Sequence, residues 1–317
     1  MADESEDRTG GAGRRRLRWV GFLVGMAAVS AAVMAASGGV PLWERLSAIR
    51  ASGWMWCVWL AAPLTSVALT AASFMVLTNA RIRGAPSVGF GAMFAMIGGS
   101  WLLNFLPLSP GLFGRIAYQR ACLGISVRDS MIVVGESIVL SWVAALMVVP
   151  IAYAADDPVL VLFALGVLAS MWHVAMRRQW GRGSVAAARS AALVVKLADQ
   201  CVWTLKYAAV FRMMGYEPTL AESCLVAAVA QSAMLVPFIG NGLGVREWMV
   251  ALVASHLPEW FREGGGPMVA EGLTADLLGR AGEIAVAIPT GLCCLWLLSQ
   301  RAGRGARSVG EKTGGTG

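Results

Sequence analysis

The sequence predicts an all-α polytopic membrane protein with about six full spans and two re-entrant, broken hairpins. Three observations carry that prediction. Of the 317 residues, 57% are hydrophobic and only 14% charged, where ordinary soluble domains carry about 25% charged residues. Apolar stretches of the length a spanning helix needs, about 20 residues, recur along the chain. Two further apolar stretches are interrupted by proline and glycine at corresponding places.

Residues 1–17 are charged and Gly-rich and read as a disordered basic tail. The first apolar run, 19–40, follows RRRLR. It is too long for a signal h-region, and no A-x-A site precedes a soluble domain, so it reads as a retained helix. Further spans are expected over about 54–78, 130–153, 158–176, 191–213 and 273–299, and residues 301–317 are expected to form a disordered C-terminal tail. The membrane domain is therefore 18–300. The hairpins are expected over about 88–124 and 219–257. Pro107 and Pro110 in the first remove backbone donors, so a regular helix cannot run through them. Aligning LPLSPGLFGR with VPFIGNGLGVR brings Pro107 onto Pro237, Gly111–Gly114 onto Gly242–Gly244 and Arg115 onto Arg246. Broken backbone at membrane depth is tolerated where it is buried in protein or lines a wet cavity. Two such breaks in corresponding places point to a substrate site between them.

Cytoplasmic loops carry the Lys/Arg excess. With the N-terminus inside and both hairpins re-entrant, Arg14–Arg16, Arg81, Arg83, Arg120, Arg128, Arg177, Arg178, Arg182 and Arg189 all fall inside, as does the C-terminal tail. Asp156, Asp157 and the acidic loop around Glu263 fall outside. Making only the first hairpin a full crossing moves the Arg177–Arg189 cluster outside, which is worse. The preferred topology also reads as an inverted repeat: helix 54–78, hairpin and helix 130–153, then helix 191–213, hairpin and helix 273–299. Both termini are expected in the cytoplasm and the chain in the cell membrane.

The net charge of +7 does not imply nucleic acid, because the basic residues lie in loops between apolar spans. The six cysteines show no metal-ligand spacing and no disulfide framework. His173 and His256 lie near helix ends, and no nucleophile elbow, HExxH or P-loop occurs. No cofactor, metal or catalytic residue is predicted, and the chain is not read as an enzyme.

Ionisable groups inside spans are costly and default to functional candidates. Here they are Glu136, Lys196, Asp199, Lys206, Arg246, Glu247, Arg280 and Glu283. The i,i+3 spacing of Lys196 with Asp199, and of Arg280 with Glu283, equally allows plain structural pairs. Arg115 and Arg246 each follow a Gly-rich break and are expected to open a returning helix. A helix N-terminus attracts anions, and an arginine adds a bidentate fork for phosphate. Arg115 could instead snorkel to the headgroups, and Glu247 could neutralise Arg246. Asn104 and Asn241 could cap loose backbone or contact a headgroup.

At these residues the chain resembles the family formed by the membrane region of lysylphosphatidylglycerol synthetases and their stand-alone flippase-like relatives. The resemblance covers about residues 15–300. It rests on Asn104, Pro107 and Gly111 with Arg115, on Gly124–Ser126, on Glu136, on Pro237, Gly242, Gly244 and Glu247, and on Arg280. It implies a protein that moves anionic phospholipid or polyprenyl-phosphate-linked lipid between leaflets. The soluble aminoacyl-transferring domain is missing from these residues, so lysylphosphatidylglycerol synthesis is not expected. Arg246, immediately before Glu247, departs from the family pattern. The expected substrate-binding set is Asn104, Pro107, Gly111, Arg115, Glu136, Asp199, Pro237, Asn241, Gly242, Gly244, Arg246, Glu247, Arg280 and Glu283. Its partners would be membrane lipids, with a second copy or a partner synthase also open. The alternatives are a non-transporting scaffold for a lipid-modifying synthase and a membrane transferase using a lipid-phosphate donor.

Overall fold

A computed structural model describes residues 27, 30, 31, 33, 34, 52–82, 87–106, 110–154, 185–234, 242–256 and 268–313. The expected spans 158–176 and most of 19–40, the N-terminal tail 1–17, residues 314–317, Pro107, Pro237 and Asn241 lie outside the described residues, whereas residues 301–313 of the expected disordered C-terminal tail instead continue the last helix. The described elements are all helical: α1 Gly53–Asn79, α2 Phe90–Leu103, α3 Pro110–Leu123, α4 Val127–Ala154, α5 Val185–Met213, α6 Leu220–Met234, α7 Val245–Ser255 and α8 Met268–Thr313. Among them α1, α4 and α8 are long and apolar enough to cross a membrane. The helix α5 has 29 residues, but Lys196, Asp199 and Lys206 interrupt its apolar run.

The breaks fall where proline and glycine require them. Helix α2 ends at Leu103 and α3 starts at Pro110, a residue that fits the first turn of a helix because its missing N–H is not needed there. At 14 residues each, these helices are roughly 21 Å long, too short to span. A Cβ on Gly111 would fall on the Ser100 carbonyl oxygen and close to Asn104 Oδ1, so only glycine lets α3 fold back this tightly on α2. In the second hairpin Gly242 has φ +68° and its missing Cβ would meet Ala233 O at 3.1 Å. The two glycines play the same part: each seats the returning helix against the C-terminal end of the outgoing one.

The joints between helices are capped locally. Asn79 pairs with the Val88 backbone through both its amide atoms, at 2.8 and 3.0 Å, and so fixes the loop from α1 to α2. Gly124, with φ +66°, ends α3, and the Ser126 hydroxyl accepts from the Asp129 N–H at the start of α4. Gly215, with φ +87°, ends α5, where Tyr216 N–H reaches back to Phe211 O. Thr219 and Glu222 form a capping box that opens α6.

The contacts between helices follow a two-unit pattern. Exchange α1 with α5, α2 with α6, α3 with α7 and α4 with α8, and every substantial helix pairing maps onto another: α8 on α2 matches α4 on α6, and α4 on α5 matches α8 on α1. The pair α1–α5 is its own counterpart and forms the centre. Small residues allow the closest approaches. Gly98 and Gly99 face Cys294 and Leu295 of α8, Gly291 faces Leu102, and Gly282 faces the Trp59 ring.

The distribution of side chains is the reverse of that in a soluble bundle. Leu60, Val139, Trp142, Leu146, Leu252, Ile288, Leu292 and Trp296 are exposed, while Arg115, Lys196, Asp199, Lys206, Arg246, Glu247, Asp276, Arg280 and Glu283 are buried. Apolar side chains turned outward over this much surface suit an acyl-chain environment rather than water. Buried charges must then pair inside the bundle or line a cavity.

Candidate functional site

Two stripes carry most of the buried charge. On α5, Lys196, Asp199, Trp203 and Lys206 recur at spacings of three and four, so they share one face. On α8, Asp276, Arg280 and Glu283 do the same. The α5 stripe borders a cavity of about 250 Å³ lined by α1, α2, α3, α4, α5, α6 and α8, whose lining includes Ser66, Ser100, Asn104, Arg115, Ser137, Ser141, Gln231 and Glu283.

Arg115 is 9% exposed, with its guanidinium 4.2 Å from the centre of the Phe74 ring. Among the described residues no carboxylate lies within ion-pair distance of it, nor of Lys196. Asp199, one turn beyond Lys196, hydrogen-bonds Ser66, which in turn accepts from Trp203 Nε1 at 2.9 Å. Asp199 Oδ1, Asn104 Oδ1 and Gln231 Nε2 have no hydrogen-bond partner among the described residues. The cavity thus has three cations, Arg115, Lys196 and Lys206, against the carboxylates of Asp199 and Glu283, with Lys206 held by Glu283, and several polar atoms without a partner among the described residues. Such a lining accepts an anion that can also donate and accept hydrogen bonds.

Arg246 has the opposite surroundings. It is fully buried, and its fork is filled from within. Nε donates to Asp276 Oδ1 at 2.9 Å, and Nη1 and Nη2 lie 2.9 Å from the two oxygens of Glu283. Lys206 also binds Glu283 and lies 4.3 Å from the Trp203 ring centre, and Tyr207 donates to Asp276 at 2.5 Å. Arg280 pairs with Glu247 at 2.8 Å. Lys206, Arg246 and Arg280 therefore balance Glu247, Asp276 and Glu283, and the network is formally neutral.

These contacts correct several expectations. Glu247 does not neutralise Arg246: successive helical residues point about 100° apart, so Glu247 turns to Arg280 while Arg246 turns to α8. Arg280 and Glu283 pair across helices, Arg280 with Glu247 and Glu283 with Arg246 and Lys206. Arg115 does not open its helix, which starts five residues earlier at Pro110, whereas Arg246 is in the first turn of α7. Glu136 lies outside the cavity, where Arg81 and Arg189 both grip its carboxylate and tie α4 to the end of α1 and the start of α5. Asp276, Tyr207 and Trp203 were not singled out from the sequence. The signal for Asp276 was its spacing of four from Arg280 on one face. Gly111 and Gly242 serve the backbone, and Gly244, with φ +82°, starts α7. No group of three or more His, Cys, Asp or Glu among the described residues is placed to hold a metal ion.

A comparison of the chain with protein-family models finds no match, and comparisons with curated proteins and with solved structures find none either.

Proposed function

We propose that this chain is an integral membrane lipid transporter that carries an anionic phospholipid or a polyprenyl-phosphate-linked lipid between leaflets. The observation that supports this reading best is Arg115, buried at a cavity beside Lys196 with no described carboxylate to neutralise it. A buried cation without an internal partner is expensive, and a ligand phosphate would supply that partner. The resemblance to the flippase-like family and the outward-facing apolar side chains favour a lipid over a soluble anion.

In this reading the six-crossing topology with two re-entrant hairpins holds, and the two helix–hairpin–helix units are inverted in the membrane. Arg115 holds the headgroup in the state described here. Arg246 is its counterpart, with Asp276 and Glu283 taking the place of substrate. Transport would then require Arg246 to exchange these carboxylates for phosphate while Arg115 releases it. Glu283 can mediate the exchange because it touches Lys206 and lines the Arg115 cavity as well.

The test is leaflet exchange in proteoliposomes containing fluorescent phosphatidylglycerol or a fluorescent polyprenyl phosphate, followed by an external quencher. Exchange faster than in protein-free vesicles, and lost in Arg115→Ala, is the expected result. Folded protein that accelerates neither lipid would overturn the reading and leave the scaffold or the transferase in its place.

A further inference from the structure

A second cavity, of about 240 Å³, adjoins the first. It lies between α2, α3 and α8 and is lined mainly by apolar groups, among them Met96, Leu103, Tyr118, Leu295 and Leu298. It shares Ser100 and Arg115 with the polar cavity, so Arg115 stands at the junction of a polar chamber and an apolar slot. The slot has a structural cause. Helix α2 packs tightly on α8 through Gly98, Gly99 and Gly291, and on α3 through Gly111. Helices α3 and α8 have no such contact with each other. Gly114 faces the gap, and a Cβ there would meet nothing within 4 Å.

We propose that this slot is a binding site for one hydrocarbon chain of the transported lipid, entered while the phosphate is held at Arg115. The inference rests on the transporter reading above and adds to it that the chain enters the protein rather than staying wholly in the bilayer. Charge and shape select this occupant. A cation at the mouth of an apolar slot, next to a polar chamber, is complementary to an anionic headgroup joined to an acyl tail. The slot exceeds the ~150 Å³ of an apolar cavity that holds a benzene molecule. Water gains little there, because so few polar atoms line the slot.

The experiment uses phosphatidylglycerol bearing a diazirine midway along one acyl chain, in phosphatidylcholine vesicles containing the full chain. After illumination the cross-linked peptides are mapped by mass spectrometry in wild type, Arg115→Ala and Gly114→Leu. The expected result is labelling of the α2, α3 and α8 segments that line the slot, at least fivefold weaker in both variants. Wild-type mapping decides even if Gly114→Leu fails to fold, and Gly114→Ala, which leaves the slot open, should label as wild type does. Labelling that depends on Arg115 but falls elsewhere would overturn the slot and leave the headgroup reading standing. Labelling of the slot unchanged by Arg115→Ala would overturn the link between them. An absence of labelling anywhere in the folded wild-type chain would overturn both.

Discussion

The two hairpins share a backbone plan and differ in what surrounds their arginines. Gly111 and Gly242 each seat the returning helix on the outgoing one, Gly111 more tightly, and Arg115 and Arg246 each follow four residues later. Around Arg246 the last helix of its unit, α8, supplies Asp276 and Glu283. Around Arg115 the corresponding helix, α4, supplies Ser137 and Ser141 to the cavity, and its one nearby carboxylate, Glu136, is held elsewhere by Arg81 and Arg189. Among the described residues, one arginine is therefore neutralised by carboxylates and the other is not. The difference teaches that a repeated backbone does not impose repeated electrostatics. A few side chains on the packing helix decide whether a broken hairpin is closed on itself or ready for a ligand.

The comparison is most strongly broken by removing charges from the closed side. Arg246→Ala leaves Asp276 and Glu283 buried without their main partner, and the expected cost is about 3–5 kcal/mol of stability. Glu283→Gln should fall in the same range, since Arg246 and Lys206 both depend on that carboxylate. Both would show as a large fall in thermal unfolding temperature in detergent. Loss of Arg246 with a stability change under 1 kcal/mol would mean that the network is not formed.

Next in size are the hairpin glycines. Gly111→Ala places a methyl group on the Ser100 backbone carbonyl, and overpacking of that kind costs about 1–3 kcal/mol or more. Gly242→Ala meets a looser contact but must adopt a left-handed conformation, at about 1–2 kcal/mol. Gly114→Ala should be close to neutral. If Gly111→Ala unfolds no more readily than Gly114→Ala, the tight return of α3 on α2 is wrong.

A small effect is also expected at the rim. Arg189 is 53% exposed in its side chain, and exposed ion pairs contribute about 0–1 kcal/mol. Arg189→Ala should shift stability by no more than that, because Arg81 still holds Glu136. A larger loss, in the same unfolding measurement, would give Glu136 a weightier role than tying α4 to its neighbours.

The hairpins were legible in the sequence because proline and glycine act locally: a break at Pro107–Pro110 or Gly242–Gly244 needs no knowledge of the rest of the chain. The buried charges were legible as well, since an ionisable residue in an apolar run stands out. Their partners were not. Whether Arg280 meets Glu283 on its own helix or Glu247 on another depends on how α7 and α8 are rotated against each other, and spacing along one helix does not record that. Asp276 escaped notice because its role appears only once α7 brings Arg246 against it. Tyr207 and Trp203 read as ordinary apolar residues, and only their polar atoms and ring faces, placed against Asp276, Ser66 and Lys206, show otherwise.

The central claim is that Arg115 awaits an anion while Arg246 already has its own. The most direct test is the unfolding temperature of wild type, Arg115→Ala and Arg246→Ala with and without phosphatidylglycerol in a neutral detergent. A ligand that binds only the folded state at 100 times its Kd stabilises by about 2.7 kcal/mol. The account predicts that phosphatidylglycerol raises the wild-type temperature. It predicts that Arg115→Ala unfolds near the lipid-free wild type and does not respond to lipid, while Arg246→Ala is strongly destabilised without lipid. An Arg115→Ala variant that still responds to lipid as wild type does, or that loses as much stability as Arg246→Ala, would contradict it.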